Sequence, residues 1–220
     1  MEVGTVALGR AGGIPPLTHS RLCIKREVEV KSRTIIGTVL ACLVLAIIAS
    51  VQTATAQGQS PSSPAPVGAA IKTEVYCGES AGSLEPYDAN IALLQAVRGK
   101  EALEQIKAAS TSNKPPKAGF EYVLARVKFE MKARGAPGNK TFELGRTMQF
   151  TAMSPDGREY EAASVTLPKP ELSRTVRAGE SAEGWVAFLV EQKESKPMMV
   201  FDPASGGAMG RGKILFFQLY

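Results

Sequence analysis

Phe120–Lys132 (FEYVLARVKFEMK) and Glu183–Val190 (EGWVAFLV) decide the fold of this chain. In the first stretch Val123, Ala125, Val127, Phe129 and Met131 alternate with Leu124, Arg126, Lys128, Glu130 and Lys132. That period of two is the mark of a half-buried strand. In the second, Trp185, Ala187 and Leu189 face one way and Val186, Phe188 and Val190 the other. Both faces are apolar, which predicts a central strand.

Turn signals frame these two strands and separate others. Arg134–Asn139 (RGAPGN) turns the chain, and Ser154-Pro155-Asp156-Gly157 places Pro at the second position of a tight turn. Strands are expected at Ile91–Val97, Met148–Met153, Glu159–Val165, Met198–Phe201 and Lys213–Leu219, the last two separated by a Gly-rich loop. Gly99–Ser110 changes period: Ala102, Leu103 and Ile106 share a helical face, Glu104 and Lys107 stand at i,i+3, and Asn113-Lys114-Pro115-Pro116 stops the helix. The expectation is an all-β sandwich of about seven antiparallel strands, with one short helix after the first. Its core residues are Val123, Val127, Phe129, Phe150, Trp185, Phe188 and Phe217.

Upstream lies a leader. Arg33 is followed by the apolar run Thr34–Val51 and then Ala54-Thr55-Ala56, the cation, apolar core and small-x-small order of an export signal. Cleavage after Ala56 would leave Gln57 as the new N-terminus. An uncleaved membrane anchor competes, because eighteen apolar residues reach roughly 27 Å as a helix, close to the hydrocarbon thickness of a bilayer. Lys25, Arg26, Lys31 and Arg33 keep the N-side cytoplasmic in either case. Val39-Leu40-Ala41-Cys42 resembles a lipobox, but the apolar run continues past Cys42. The organisation read from these signals has four parts. Residues 1–33 are a cytoplasmic n-region or an overextended start, and 34–56 a signal peptide or anchor. Residues 57–89 are a flexible Ser/Pro-rich linker with a transitional part, and 90–220 the β domain.

Composition removes whole classes of chemistry. The chain carries +5, but residues 1–56 hold six Lys/Arg against three Asp/Glu, and 57–220 hold twenty against eighteen. No basic stretch is interleaved with aromatics, so a nucleic-acid partner is not expected. The single histidine, His19, lies in the leader. Beyond it the chain can build no Ser-His or Cys-His nucleophile, no His-ligated zinc and no His general base. Cys77 is the one cysteine after Cys23 and Cys42, so the domain has no internal disulfide and Cys77 reads as a structural thiol.

Four looser signals have bland readings. Gly207–Lys213 (GAMGRGK) fits a phosphate-loop pattern, yet Ile214 stands where Ser or Thr would meet magnesium and a strand follows instead of a helix. Glu159, Glu161, Glu180 and Glu183 could pair for glycosidic hydrolysis, although acids spaced i,i+2 on a strand face are ordinarily solvated. Asp156 and Asp202 sit where turns favour Asp. Asn139-Lys140-Thr141 is a formal glycosylation sequon, relevant only in a eukaryote. No catalytic, cofactor-binding or metal-binding residue is assigned, and no cofactor is expected.

Three motifs carry a family resemblance. They are Gly119-Phe120-Glu121-Tyr122-Val123 opening a strand, Gly179–Phe188 (GESAEGWVAF), and Phe201-Asp202-Pro203 before the closing strand. In this order they resemble the secreted bacterial telokin-like immunoglobulin-fold domains of unknown function, the family related to a mycobacterial immunoprotective extracellular antigen. The Arg98–Ala102 helix start matches one branch of that group, and the likeness spans roughly residues 90–220. It implies an immunoglobulin-like sandwich outside the membrane and supplies no catalytic residues. The functional expectation is an exported, non-enzymatic domain, secreted or extracytoplasmic, whose partner is a protein or an envelope polymer. It meets the membrane only through an uncleaved N-terminal segment. A cell-envelope hydrolase using acidic residues alone and a membrane-tethered structural stalk are the alternatives.

Overall fold

The chain divides into Met1–Ala54 and Thr55–Tyr220, and a computed structural model describes residues 57–78, 80–135, 139–146, 148–160, 163–205 and 211–220. The leader and its cleavage site therefore lie outside the described residues. Among these, ten strands and one α-helix are present: β1 (Ala70–Cys77), β2 (Glu85–Arg98), α1 (Gly99–Ala109), β3 (Phe120–Ala133), β4 (Thr141–Leu144), β5 (Phe150–Met153), β6 (Glu159–Tyr160), β7 (Arg174–Arg177), β8 (Ser181–Glu191), β9 (Met198–Phe201) and β10 (Leu215–Gln218).

All strand pairs are antiparallel. One sheet runs β1-β2-β3-β8, a second β10-β9-β5-β6, and β4 pairs with β7. The domain is a β-sandwich, and its main core draws on all three sheets. β3 contributes Val123, Ala125, Val127, Phe129 and Met131, β9 contributes Met199 and Phe201, and β4 contributes Phe142. The strict alternation in β3 puts these five residues on one face and leaves Arg126, Lys128, Glu130 and Lys132 outside the core.

Two sequence expectations need correction. Ordered structure starts well before Asn90. Ala70–Cys77 is a full eight-residue strand, and residues 58–65 lie along β10, where Phe216 N–H donates to Gly58 O at 2.8 Å and Ala65 N–H to Phe216 O at 2.8 Å. Ala65 is fully buried. The Ser/Pro composition resembles a spacer, but the unpaired edge of β10 supplies hydrogen bonds that hold it. The helix accordingly follows the second strand rather than the first.

The second correction concerns β8, which is an edge strand and not a central one. Its two faces divide as the alternation predicts: Phe188 and Val190 enter the main core, while Trp185 joins a second cluster with Val97, Ala102, Ile106, Tyr122 and Leu124. That second cluster lies under α1 and residues 163–167. Both faces are thus covered although only one flank has a strand. The other flank is closed by residues 170–172: Trp185 N–H donates to Pro170 O at 2.9 Å and Leu172 N–H to Trp185 O at 3.4 Å. Asn113 stitches the cover together, donating to Ile106 O at 2.7 Å and accepting from Thr166 N–H at 2.8 Å. Within the helix Glu104 pairs with Lys100 at 3.8 Å rather than with Lys107.

Two substitutions test this packing. Trp185 is 8 % exposed, so Trp185→Ala should lower unfolding free energy by about 3–5 kcal/mol in denaturant titrations. An unchanged midpoint would rule out a core role. Gly184 has no room for a side chain, because a Cβ there would stand 2.5 Å from Glu171 C and Leu172 N. Gly184→Ala should push residues 170–172 off β8 at a cost of about 1–3 kcal/mol, with faster amide exchange at Trp185 as the local readout.

Candidate functional site

The seven residues assigned to the core from sequence are all buried: Val123, Val127, Phe129, Phe150, Trp185, Phe188 and Phe217. Of the four glutamates weighed for catalysis, two are engaged in separate local contacts. Glu183 on β8 pairs with Arg126 at 2.5 Å, and Glu180 accepts from Arg177 N–H at 3.0 Å in the turn before β8. Glu159 is exposed on β6, and Glu161 lies outside the described residues. Asp156 accepts from the Ser154 hydroxyl, which holds its carboxyl below the usual carboxylate range. Asp202 accepts from Ala204 N–H and Ser205 Oγ. Both aspartates are turn-formers, as their Pro and Gly neighbours suggest. Residues 207–210 of the phosphate-loop pattern lie outside the described residues, and Gly212 and Lys213 lead into β10.

A cleft of about 530 Å³ opens between residues 60–64 and the end of β10. Met198, almost fully buried, lines it together with Pro61, Pro64, Pro155, Lys196 and the half-exposed Tyr220. Ser60 and Ser62 add hydroxyls. No Asp or Glu side chain is among the lining residues. The cleft offers pyrrolidine and phenol surfaces, one ammonium and two hydroxyls. Sequence reading missed this site because its wall, residues 60–64, was taken for free spacer. The signal that fixes that wall is the β10 edge, over 150 positions away (Gln218 Nε2 donates to Pro64 O at 3.3 Å).

Charges beside the sandwich are mostly paired. At one end of the first sheet Arg98 donates to Glu121 Oε1 (2.9 Å from Nε) and to Glu194 O (2.8 Å). Tyr160 OH lies 3.2 Å from Glu194 Oε2, and burial followed by the Glu194 charge pushes its phenol up. On the outer face Arg134 joins Glu74 at 2.5 Å and Asp88 at 2.6 Å.

A second feature is the free flank of β1. Met131 N–H donates to Glu180 O, so odd-numbered residues of β3 bond toward β8 and even-numbered ones toward β2. Carried through the β2–β3 and β1–β2 registers, this turns Ile71, Thr73 and Val75 backbone groups toward β2 and those of Lys72, Glu74 and Tyr76 outward. Among the described residues no backbone hydrogen bond from the outer flank of β1 is present. Thr73 Oγ1 is buried and has no hydrogen-bond partner. At the end of the same strand Cys77 is buried, its Sγ 3.9 Å from Met131 Sδ.

Comparison with known proteins gives a family and two structural likenesses. A family described as a domain of unknown function (DUF4352) matches residues 96–211. The ycdA protein of Bacillus subtilis, described as a candidate lipoprotein, is similar at 16% identity and a TM-score of 0.42. That match covers 59% of this chain and 35% of that one, so the chain spans about a third of the ycdA structure. The yjhA protein of Bacillus subtilis is similar at 12% identity and a TM-score of 0.44, covering 70% of this chain and 98% of that one. No curated protein matches the sequence.

The Cys77 thiol gives the prediction for this region. Burial first and the Glu85 charge second push its pKa up to about 11. Since the thiolate is the reactive form, Cys77 should resist a maleimide or disulfide reagent at pH 8 in the folded domain and react fully once denatured. Rapid labelling of the native protein would show that the β1 end is open.

Proposed function

This chain belongs to the DUF4352 family of domains of unknown function, and from that premise we propose that it is an extracytoplasmic, non-catalytic binding domain that works by its surface. The observation that carries this reading is the cleft, where proline rings, Tyr220 and buried Met198 stand beside Lys196 and no Asp or Glu side chain joins them. Such a lining suits stacking and hydrogen bonding to a protein segment or an envelope polymer. The export address rests on the leader, with its cation, apolar run and Ala54-Thr55-Ala56. We further place the chain among the secreted telokin-like domains on its three motifs, which open β3, lead through β8 and end β9. The ligand is an unidentified protein or envelope polymer, met outside the cytoplasm.

The test expresses the full chain in a bacterial host, fractionates the cells and sequences the product's N-terminus. The product should be recovered from the medium or envelope, beginning at Gln57. It should also co-sediment with isolated envelope material, and Lys196→Glu or Tyr220→Ala should weaken that by about tenfold. A full-length product free in the cytosol would overturn the address. Envelope binding indifferent to both substitutions would overturn the site.

A further inference from the structure

We propose that β1 pairs with β1 of a second copy of this chain, antiparallel across a two-fold axis at Thr73, to form a continuous eight-stranded sheet. This inference stands apart from the cleft and does not require it. Its basis is the outward row of backbone groups from Lys72, Glu74 and Tyr76, which lacks partners among the described residues. β1 carries Lys72 but lacks other usual edge defences. It has no proline, and its ladder with β2 runs unbroken over eight residues, where edges are ordinarily blunted by bulges or proline.

The side chains choose both the partner and the register. Outward backbone groups belong to even-numbered residues, so an antiparallel pair must place even against even. With the axis at Thr73, Lys72 stands opposite the partner's Glu74, and Glu74 opposite the partner's Lys72. Shifting the axis to position 72 or 74 sets Lys72 against its own copy or Glu74 against its own copy. Like charges directly opposite are destabilising, so the Thr73 register wins. In that register Thr73 meets the partner's Thr73 at a non-hydrogen-bonded position, where Cα atoms approach to roughly 4.5 Å. The Thr73 hydroxyl, buried and unpartnered in the single chain, gains a partner there. Ile71 and the partner's Val75 face each other on the core side, extending the apolar layer. An isologous contact of this kind closes at two copies and does not propagate.

The chain's own competitor for this edge is the segment entering β10. A Cβ on Gly212 would stand 3.5 Å from Glu74 O, and the Arg211 guanidinium lies 5.8 Å from the centre of the Tyr76 ring. The incoming strand displaces this segment at both Glu74 and Tyr76.

The experiment is sedimentation equilibrium of the chain as the host delivers it, together with oxidative cross-linking of variants that each carry one introduced cysteine, with Cys23 and Cys42 replaced by Ser. The wild-type chain should show a concentration-dependent doubling of mass. Thr73→Cys should form a disulfide dimer, whereas Lys72→Cys should not. Lys72→Glu should weaken association by about tenfold, since it replaces two opposite-charge pairs with two like-charge pairs. Cys77 is buried and serves as an internal control in every variant. A monomer at all concentrations with no Thr73→Cys dimer would overturn the proposal and assign the edge to Arg211–Gly212. A dimer that cross-links through Lys72→Cys and not Thr73→Cys would overturn it too.

Discussion

The ring of Phe129 holds the sandwich together. It stacks on Phe142 with centroids 5.3 Å apart and planes 15° from parallel, and it meets Phe201 at 6.2 Å, which in turn lies 5.1 Å from Phe150. These four rings come from β3, β4, β9 and β5, one or more from each of the three sheets. Aromatic pairs add about 0.5–1.5 kcal/mol each beyond the area they bury. Among the described residues the free cysteine is Cys77, so this apolar contact does what a disulfide does in many extracytoplasmic sandwiches. The short β4–β7 ribbon depends on it most, because four-residue strands hold little structure by backbone pairing alone.

The first sheet is unusual in burying both faces at its β8 end. Main-core residues lie on one side; Trp185, Tyr122 and Leu124 lie on the other beneath α1. The helix has low mean apolarity and buries only Ala102 and Ile106 fully, so it is stable as a lid on Trp185 rather than as an isolated helix. Gly184 is where this arrangement is tightest, since the backbone of 170–172 comes into the space a side chain would use. The same crowding makes β8 inert as an edge. One flank of the first sheet is hydrogen-bonded to residues 170–172, whereas the other, β1, is approached by Arg211 and Gly212 without an outward backbone hydrogen bond among the described residues, so any pairing through that sheet is directed to β1.

The alternating strands β3 and β8 were legible in the sequence, and the β4–β7 ribbon and β1 were not. β3 and β8 are 14 and 11 residues long, enough for period two to stand out, and β9 matches its expected bounds at Met198–Phe201. β4 and β7 span four residues each, so TFEL and RTVR carry two apolar positions or fewer. β1 was hidden differently: Lys72, Thr73 and Glu74 dilute its apolar positions, and the preceding Ser/Pro stretch suggests a spacer. The placement of β8 at an edge was unreadable, because an apolar pattern on both faces reports coverage of faces and says nothing about flanks. The cleft was illegible for a related reason, as its wall and its floor are distant in sequence and neither is chemically marked.

Residues 58–65 change how the leader and the domain are to be connected. Gly58 is buried, its N–H donates to Ser63 O at 2.7 Å, and its carbonyl accepts from β10. A Cβ at Gly58 would stand 3.1 Å from Ala65 Cβ and from Ile71 Cδ1, so even the smallest side chain would crowd the join between this segment and β1. One residue, Gln57, separates that anchored glycine from Ala56. A stalk needs slack chain between membrane and domain, typically several residues of flexible linker. Here the Ser/Pro stretch that looked like slack is bonded into the fold. A product beginning at Gln57 would therefore carry no free spacer ahead of Gly58.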